Sequence, residues 1–77
     1  MINQMLDALQ NKSAEIIRFK HGMYVIRFKS KNGTDIVANV NEPKKNVLFV
    51  LPSTTLESYI KEADIMAMIY YINEYGE

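Results

Sequence analysis

The sequence predicts an α+β domain, a four-stranded antiparallel meander flanked by a short amino-terminal helix and a long carboxy-terminal helix. Three observations predict it. Turn signals at His21-Gly22, Lys31-Asn32-Gly33 and Glu42-Pro43-Lys44-Lys45 cut residues 14–51 into runs rich in Ile, Val, Phe and Tyr. Before them, Ile2, Met5, Leu6 and Leu9 recur at i, i+3, i+4 and i+7. After them, Pro52 breaks the strand and Thr54-Thr55-Leu56-Glu57 has the spacing of a capping box, with Thr54 as N-cap.

The first helix is two to three turns long and too short to be stable without the sheet. In the first hairpin, a two-residue loop at His21-Gly22 pairs Phe19 with Tyr24, Ile17 with Ile26 and Glu15 with Phe28. That register gathers the apolar residues on one face, and His21 and Gly22 both suit the left-handed conformation such a loop needs. At the second turn a two-residue Asn32-Gly33 loop would push Ile36, Ala38 and Val40 off that face. A three-residue loop with Gly33 left-handed instead pairs Phe28 with Ile36, Ile26 with Ala38, and Lys29 with Asp35. A four-residue loop at residues 42–45 then sets Val40 opposite Val47 and Ala38 opposite Phe49. The expected core face is Ile17, Phe19, Tyr24, Ile26, Phe28, Ile36, Ala38, Val40, Val47, Phe49 and Leu51.

The second helix is expected to run from the capping box to about Tyr75 and to end at Gly76. Its stripe of Leu56, Tyr59, Ile60, Ala63, Ala67 and Tyr70 would cross the core face. A second stripe, Ile65, Met68, Ile69 and Ile72, points the other way. An ordinary surface helix has one apolar face, so this stripe calls for the amino-terminal helix or a second subunit. Read as a dimer interface, it comprises those four residues.

Seventy-seven residues make a single domain near the lower limit for one hydrophobic core. The chain has no cysteine, which excludes a disulfide framework and thiolate metal sites and fits a reducing compartment. No basic stretch leads into an apolar run at the amino terminus, so no signal peptide is expected. The longest apolar run, residues 65–72, falls far short of the roughly 20 residues of a membrane span. These features together predict a soluble, cytoplasmic protein. The formal net charge is zero, yet residues 12–45 are basic and residues 46–77 acidic, an asymmetry found at interaction surfaces and in internal complementarity alike. Abundant Ile, Asn, Lys, Tyr and Met match AT-rich codons, as in low-GC bacteria and their phages.

Signs of catalysis are scarce. His21 is the single histidine, and its turn accounts for it. There is no histidine pair and no carboxylate pair at ligand spacing, so neither metal nor cofactor is expected. Capping accounts for Ser53, Thr54 and Thr55, and the three glycines match no phosphate-binding loop. The tyrosines Tyr70, Tyr71 and Tyr75 suit a core rim or an interface. The chain reads as a non-enzyme. Double-stranded-RNA-binding domains share the helix–strands–helix order, but residues 54–59 carry no lysine or arginine and Lys44-Lys45 lies one strand too early.

The other face of the sheet is the informative surface. In the expected register it is basic on strands one and two, with Arg18, Lys20, Arg27 and Lys29. It is apolar towards strands three and four, with Val37, Leu48 and Val50, and Val25 lies between. The last strand, residues 46–51, is apolar on both faces and would be an unprotected edge. These eight residues are the expected partner-binding set, with Arg27 the leading anchor and Arg18 the second. The first functional expectation is a small protein–protein binding module, such as a phage- or mobile-element-encoded inhibitor that sterically occupies a host protein surface. Two alternatives remain. One is a nucleic-acid binder using the basic residues on phosphates, and the other is a structural homodimer.

Overall fold

A computed structural model describes residues 1–75. The expected end of the second helix at Gly76 lies outside the described residues. The elements are α1 (Ile2–Gln10), β1 (Glu15–Arg18), β2 (Met23–Lys29), β3 (Asp35–Asn41), β4 (Asn46–Val50), β5 (Thr55–Tyr59) and α2 (Glu62–Glu74). The five strands form one antiparallel sheet in sequence order. The α+β class therefore holds, with one more strand than expected.

Two of the three expected registers are present. β2 pairs with β3 through Phe28–Ile36, Ile26–Ala38 and Lys29–Asp35. Gly33, at φ +85°, takes the left-handed position in the three-residue loop. β3 pairs with β4 through Val40–Val47 and Ala38–Phe49 across the four-residue loop.

The first hairpin differs by one residue. Ile16, not Ile17, lies opposite Ile26, and Arg18 lies opposite Tyr24. The loop has three residues, 20–22, closed by the Phe19 N–H donating to the Met23 carbonyl at 2.9 Å. Gly22 is drawn into the β2–β3 ladder, where its carbonyl accepts the Glu42 N–H at 2.9 Å. Lys20, His21 and Gly22 turn the chain, with His21 at φ +64° and Gly22 at φ +74°. Adjacent Ile16 and Ile17 let either register bury one isoleucine, so alternation within β1 does not choose between them. The slip inverts the whole strand. Ile17 and Phe19, expected in the core, are exposed, and Arg18 turns inward.

The capping-box reading is overturned. Thr55, Leu56, Glu57, Ser58 and Tyr59 pair with β4, and residues 52–53 form a tight hairpin loop in which the Leu51 N–H donates to the Thr54 carbonyl at 2.9 Å. Thr and Tyr suit a strand, and the apolar edge of β4 gains a paired neighbour. Helix α2 starts later, at N-cap Lys61 with no side-chain cap. Glu62 and Asp64 in its first turn favour the positive end of the helix dipole. Glu62 also meets the Lys45 ammonium at 2.9 Å, and this bond raises the Lys45 pKa.

The later start exchanges most of the two stripes, although Ile60, now just before α2, stays buried in the core as expected. Ile65, Met68 and Ile72 are buried, and Ile69 packs half-buried against the same cluster. Tyr70, Leu56 and Tyr59, expected to cross the sheet, are exposed. The residues expected to form a dimer interface are the intramolecular core. They share one buried cluster with Met5, Ala8 and Leu9 of α1 and Ile26, Phe28 and Phe49 of the sheet, so both helices lie on one face. Phe28 and Phe49 contact edge to face, with ring centroids 6.4 Å apart. Among the described residues, the opposite face carries no helix.

The outer face of the sheet as a candidate docking surface

Three cross-strand rows build the outer face. The first is Ile17–Val25–Asn39–Leu48–Glu57, and the second is Glu15–Arg27–Val37–Val50–Thr55. The third joins Met23, Asn41, Asn46 and Tyr59, with Phe19 bonded beside Met23. Strand alternation forces these side chains outward, because the intervening residues fill the core.

The face is more apolar than the sequence suggests. Ile17, Phe19 and Tyr59 are 48%, 57% and 68% exposed; Met23 and Leu48 are exposed beside them, and Val25, Val37 and Val50 are half-buried. A groove of about 550 Å³ runs among Phe19, Met23, Val25, Asn39, Asn41 and Leu48. Its floor is hydrocarbon, and its polar groups are amides.

The two cations of this face, Arg27 and Lys29, each meet a carboxylate. Arg27 Nη1 lies 3.5 Å from Glu15 Oε1, and Lys29 Nζ lies 2.6 Å from Asp35 Oδ1. The hydrogen bond from Lys29 holds the Asp35 carboxyl below its ordinary pKa, with the lysine charge acting in the same direction. Asn46 Nδ2 donates to Glu57 Oε2 at 2.5 Å.

Of the expected partner-binding residues, Val25, Arg27, Lys29, Val37, Leu48 and Val50 share the outer face. Lys20 lies in the exposed loop before β2. Arg18 is on the helix side, where its Nη2 donates to the Ile72 carbonyl at 2.7 Å. Arg27 has Glu15, not Ile16, as its row neighbour, so its charge is compensated where an apolar flank was expected. Ile17, Phe19 and Tyr59 were not foreseen on this face. Only a correct β1 register and a fifth strand reveal them.

Among the described residues, no three His, Cys, Asp or Glu side chains are placed to hold a metal ion. No helix among them is long and apolar enough to cross a membrane.

The chain matches no known protein-family model, no curated protein and no solved structure.

Proposed function

We propose that this chain is a non-enzymatic, cytoplasmic protein–protein binding module that docks the outer face of its sheet onto another protein and acts by occupying that surface. One observation carries the reading. The face exposes Ile17, Phe19, Met23, Leu48 and Tyr59, interspersed with Asn39, Asn41 and Asn46, whereas soluble monomers rarely expose apolar patches beyond a few hundred Å². Five strands spaced about 4.8 Å apart and about 20 Å long project a face on the order of 500 Å². That is below the roughly 800 Å² per partner of a standard interface. Phe19, Met23 and Tyr59 are of the residue types enriched at interfaces, and the amides of Asn39 and Asn41 on the central strand lie among them. The small size and AT-rich composition are compatible with a phage- or mobile-element-encoded inhibitor.

Nucleic-acid binding draws less support. Outer-face cations Arg27 and Lys29 each already meet a carboxylate, with which a phosphate would have to compete.

The test is capture from a lysate of the native cell by three immobilised proteins: wild type, Leu48→Asp on the outer face and Met66→Asp on the exposed side of α2. A protein retained by wild type and Met66→Asp but lost by Leu48→Asp supports the reading. Equal retention by all three, or tight salt-sensitive binding of duplex or single-stranded nucleic acid by Leu48→Asp, contradicts it. Wild type that self-associates at low micromolar concentration through Leu48 replaces it with a homodimer.

A further inference from the structure

We propose that the free edge of β5 is a second interaction site, which takes up an extended peptide segment of another protein as a sixth strand. The backbone phase of β5 carries the proposal. The Leu51 N–H donates to the Thr54 carbonyl at 2.9 Å, and the Ile60 N–H donates to the Lys45 carbonyl at 2.8 Å. With Phe49 opposite Leu56 and Val47 opposite Ser58, the alternation of an antiparallel ladder turns the N–H and C=O of Leu56 and Ser58 towards β4. Those of Thr55, Glu57 and Tyr59 point away from the sheet. The side-chain donors that reach them are long local ones, Thr54 Oγ1 to the Thr55 carbonyl and Ser58 Oγ to the Tyr59 carbonyl, both at 3.4 Å. Three outward N–H groups at a spacing of two residues match the repeat of an extended backbone.

Sheet edges are ordinarily blunted by proline, lysine, a bulge or short length. The opposite edge strand, β1, has four residues, two of them charged. β5 has five residues in unbroken register, without proline or lysine. Glu57 is its single charge.

The side chains say what kind of strand fits. On the helix side, Leu56 is 48% exposed and opens a slot of about 250 Å³ lined by Met1, Ile2, Asn3, Phe49, Leu56 and Ser58. An aliphatic residue of the incoming strand packs on Leu56 at this slot. On the outer side the same strand runs past the Glu57 carboxylate, which favours Lys or Arg there. A second copy of β5 fits less well. The symmetric register that uses Thr55, Glu57 and Tyr59 sets two Glu57 carboxylates directly opposite each other, a destabilising pair.

Amide hydrogen exchange of the ¹⁵N-labelled full chain tests the site. The probe is a synthetic peptide alternating Lys and Thr on one side with Leu and Val on the other. At about 1 mM peptide, a concentration that reveals even weak binding, the amides of Thr55, Glu57 and Tyr59 should exchange about tenfold more slowly. Leu56 and Ser58, already bonded to β4, should change little. The same peptide N-methylated on its edge-facing amides should give no protection. Glu57→Pro deletes an outward N–H while sparing the β4 ladder, and it too should abolish the effect. If this variant fails to fold, the N-methylated peptide decides. Absence of protection overturns the proposal, as does protection that appears only around Met23 and Leu48 of the outer face. Protection of the same three amides that grows with protein concentration, without peptide, assigns the edge to a second copy and also overturns it.

Discussion

Arg18 donates from Nη2 to the backbone carbonyl of Ile72 at 2.7 Å, tying the first strand to the last turn of α2. That helix has no basic residue in its own last turn, so Arg18 supplies the positive charge its carbonyl end favours. The one-residue slip of β1 makes this contact possible. Arg18 is thus a structural residue. Arg18→Met retains the aliphatic stem and removes the charge; it should cost about 1–2 kcal/mol in urea denaturation. An unchanged midpoint would show that the bond contributes nothing.

The exchanged stripes of α2 make a sharp contrast. Met68 is fully buried, whereas Met66, two residues earlier, is 64% exposed. Met68→Ala should cost about 2–5 kcal/mol through the cavity it leaves, and Met66→Ala should stay within about 0.5 kcal/mol of wild type. Comparable losses at both positions would mean that the helix is rotated or pairs with another subunit.

Two loop glycines separate backbone strain from crowding. A Cβ on Gly33 meets nothing within 4 Å, whereas a Cβ on Gly22 sits 2.9 Å from Pro43 Cδ. Both have positive φ. Gly33→Ala should cost about 1 kcal/mol from the left-handed backbone alone, and a β-branched Gly33→Val about 1–2 kcal/mol. Gly22→Ala adds a clash between the first and third loops and should exceed Gly33→Ala. Thermal unfolding of the three variants orders them.

The exposed Lys29–Asp35 pair sets a pH dependence. The folded-state pKa of Asp35 is depressed, first by the Lys29 hydrogen bond. Its stabilising contribution is therefore present above the ordinary carboxylate range and is lost as pH falls through the lowered folded value. Side-chain carboxyl NMR should place the Asp35 midpoint below that of an unpaired aspartate, and Lys29→Ala should return it to the ordinary range. An Asp35 midpoint indifferent to Lys29→Ala would contradict the pairing.

The legible parts of the chain were those where turn length and apolar pattern together admit one register. The short loops keep Phe28, Ile36, Ala38, Val40, Val47 and Phe49 on one face in a single register, even though β4 is apolar on both faces. The first hairpin was illegible because Ile16 and Ile17 are interchangeable as core residues. The decision came from tertiary partners, the Ile72 carbonyl for Arg18 and the Glu42 N–H for Gly22. Residues 54–57 satisfy a helix cap and a β-strand equally on local grounds, and the unpaired edge of β4 decided between them. Those two choices determined the site. They turned Ile17 and Phe19 outward, removed Arg18, and brought in Tyr59.

The central claim is that hydrocarbon, not charge, holds the outer face to its partner. It is tested most directly by equilibrium binding to the protein that wild type captures and Leu48→Asp does not, measured at low and high salt. Phe19→Ala and Leu48→Ala should each weaken binding by about 2 kcal/mol, roughly 30-fold. Arg27→Ala, already paired with Glu15 at 3.5 Å, should change it by less than about 0.5 kcal/mol, and added salt should matter little. Losses concentrated at Arg27 and Lys29, with affinity falling steeply and log-linearly with salt, would contradict the claim and point to a polyanionic partner.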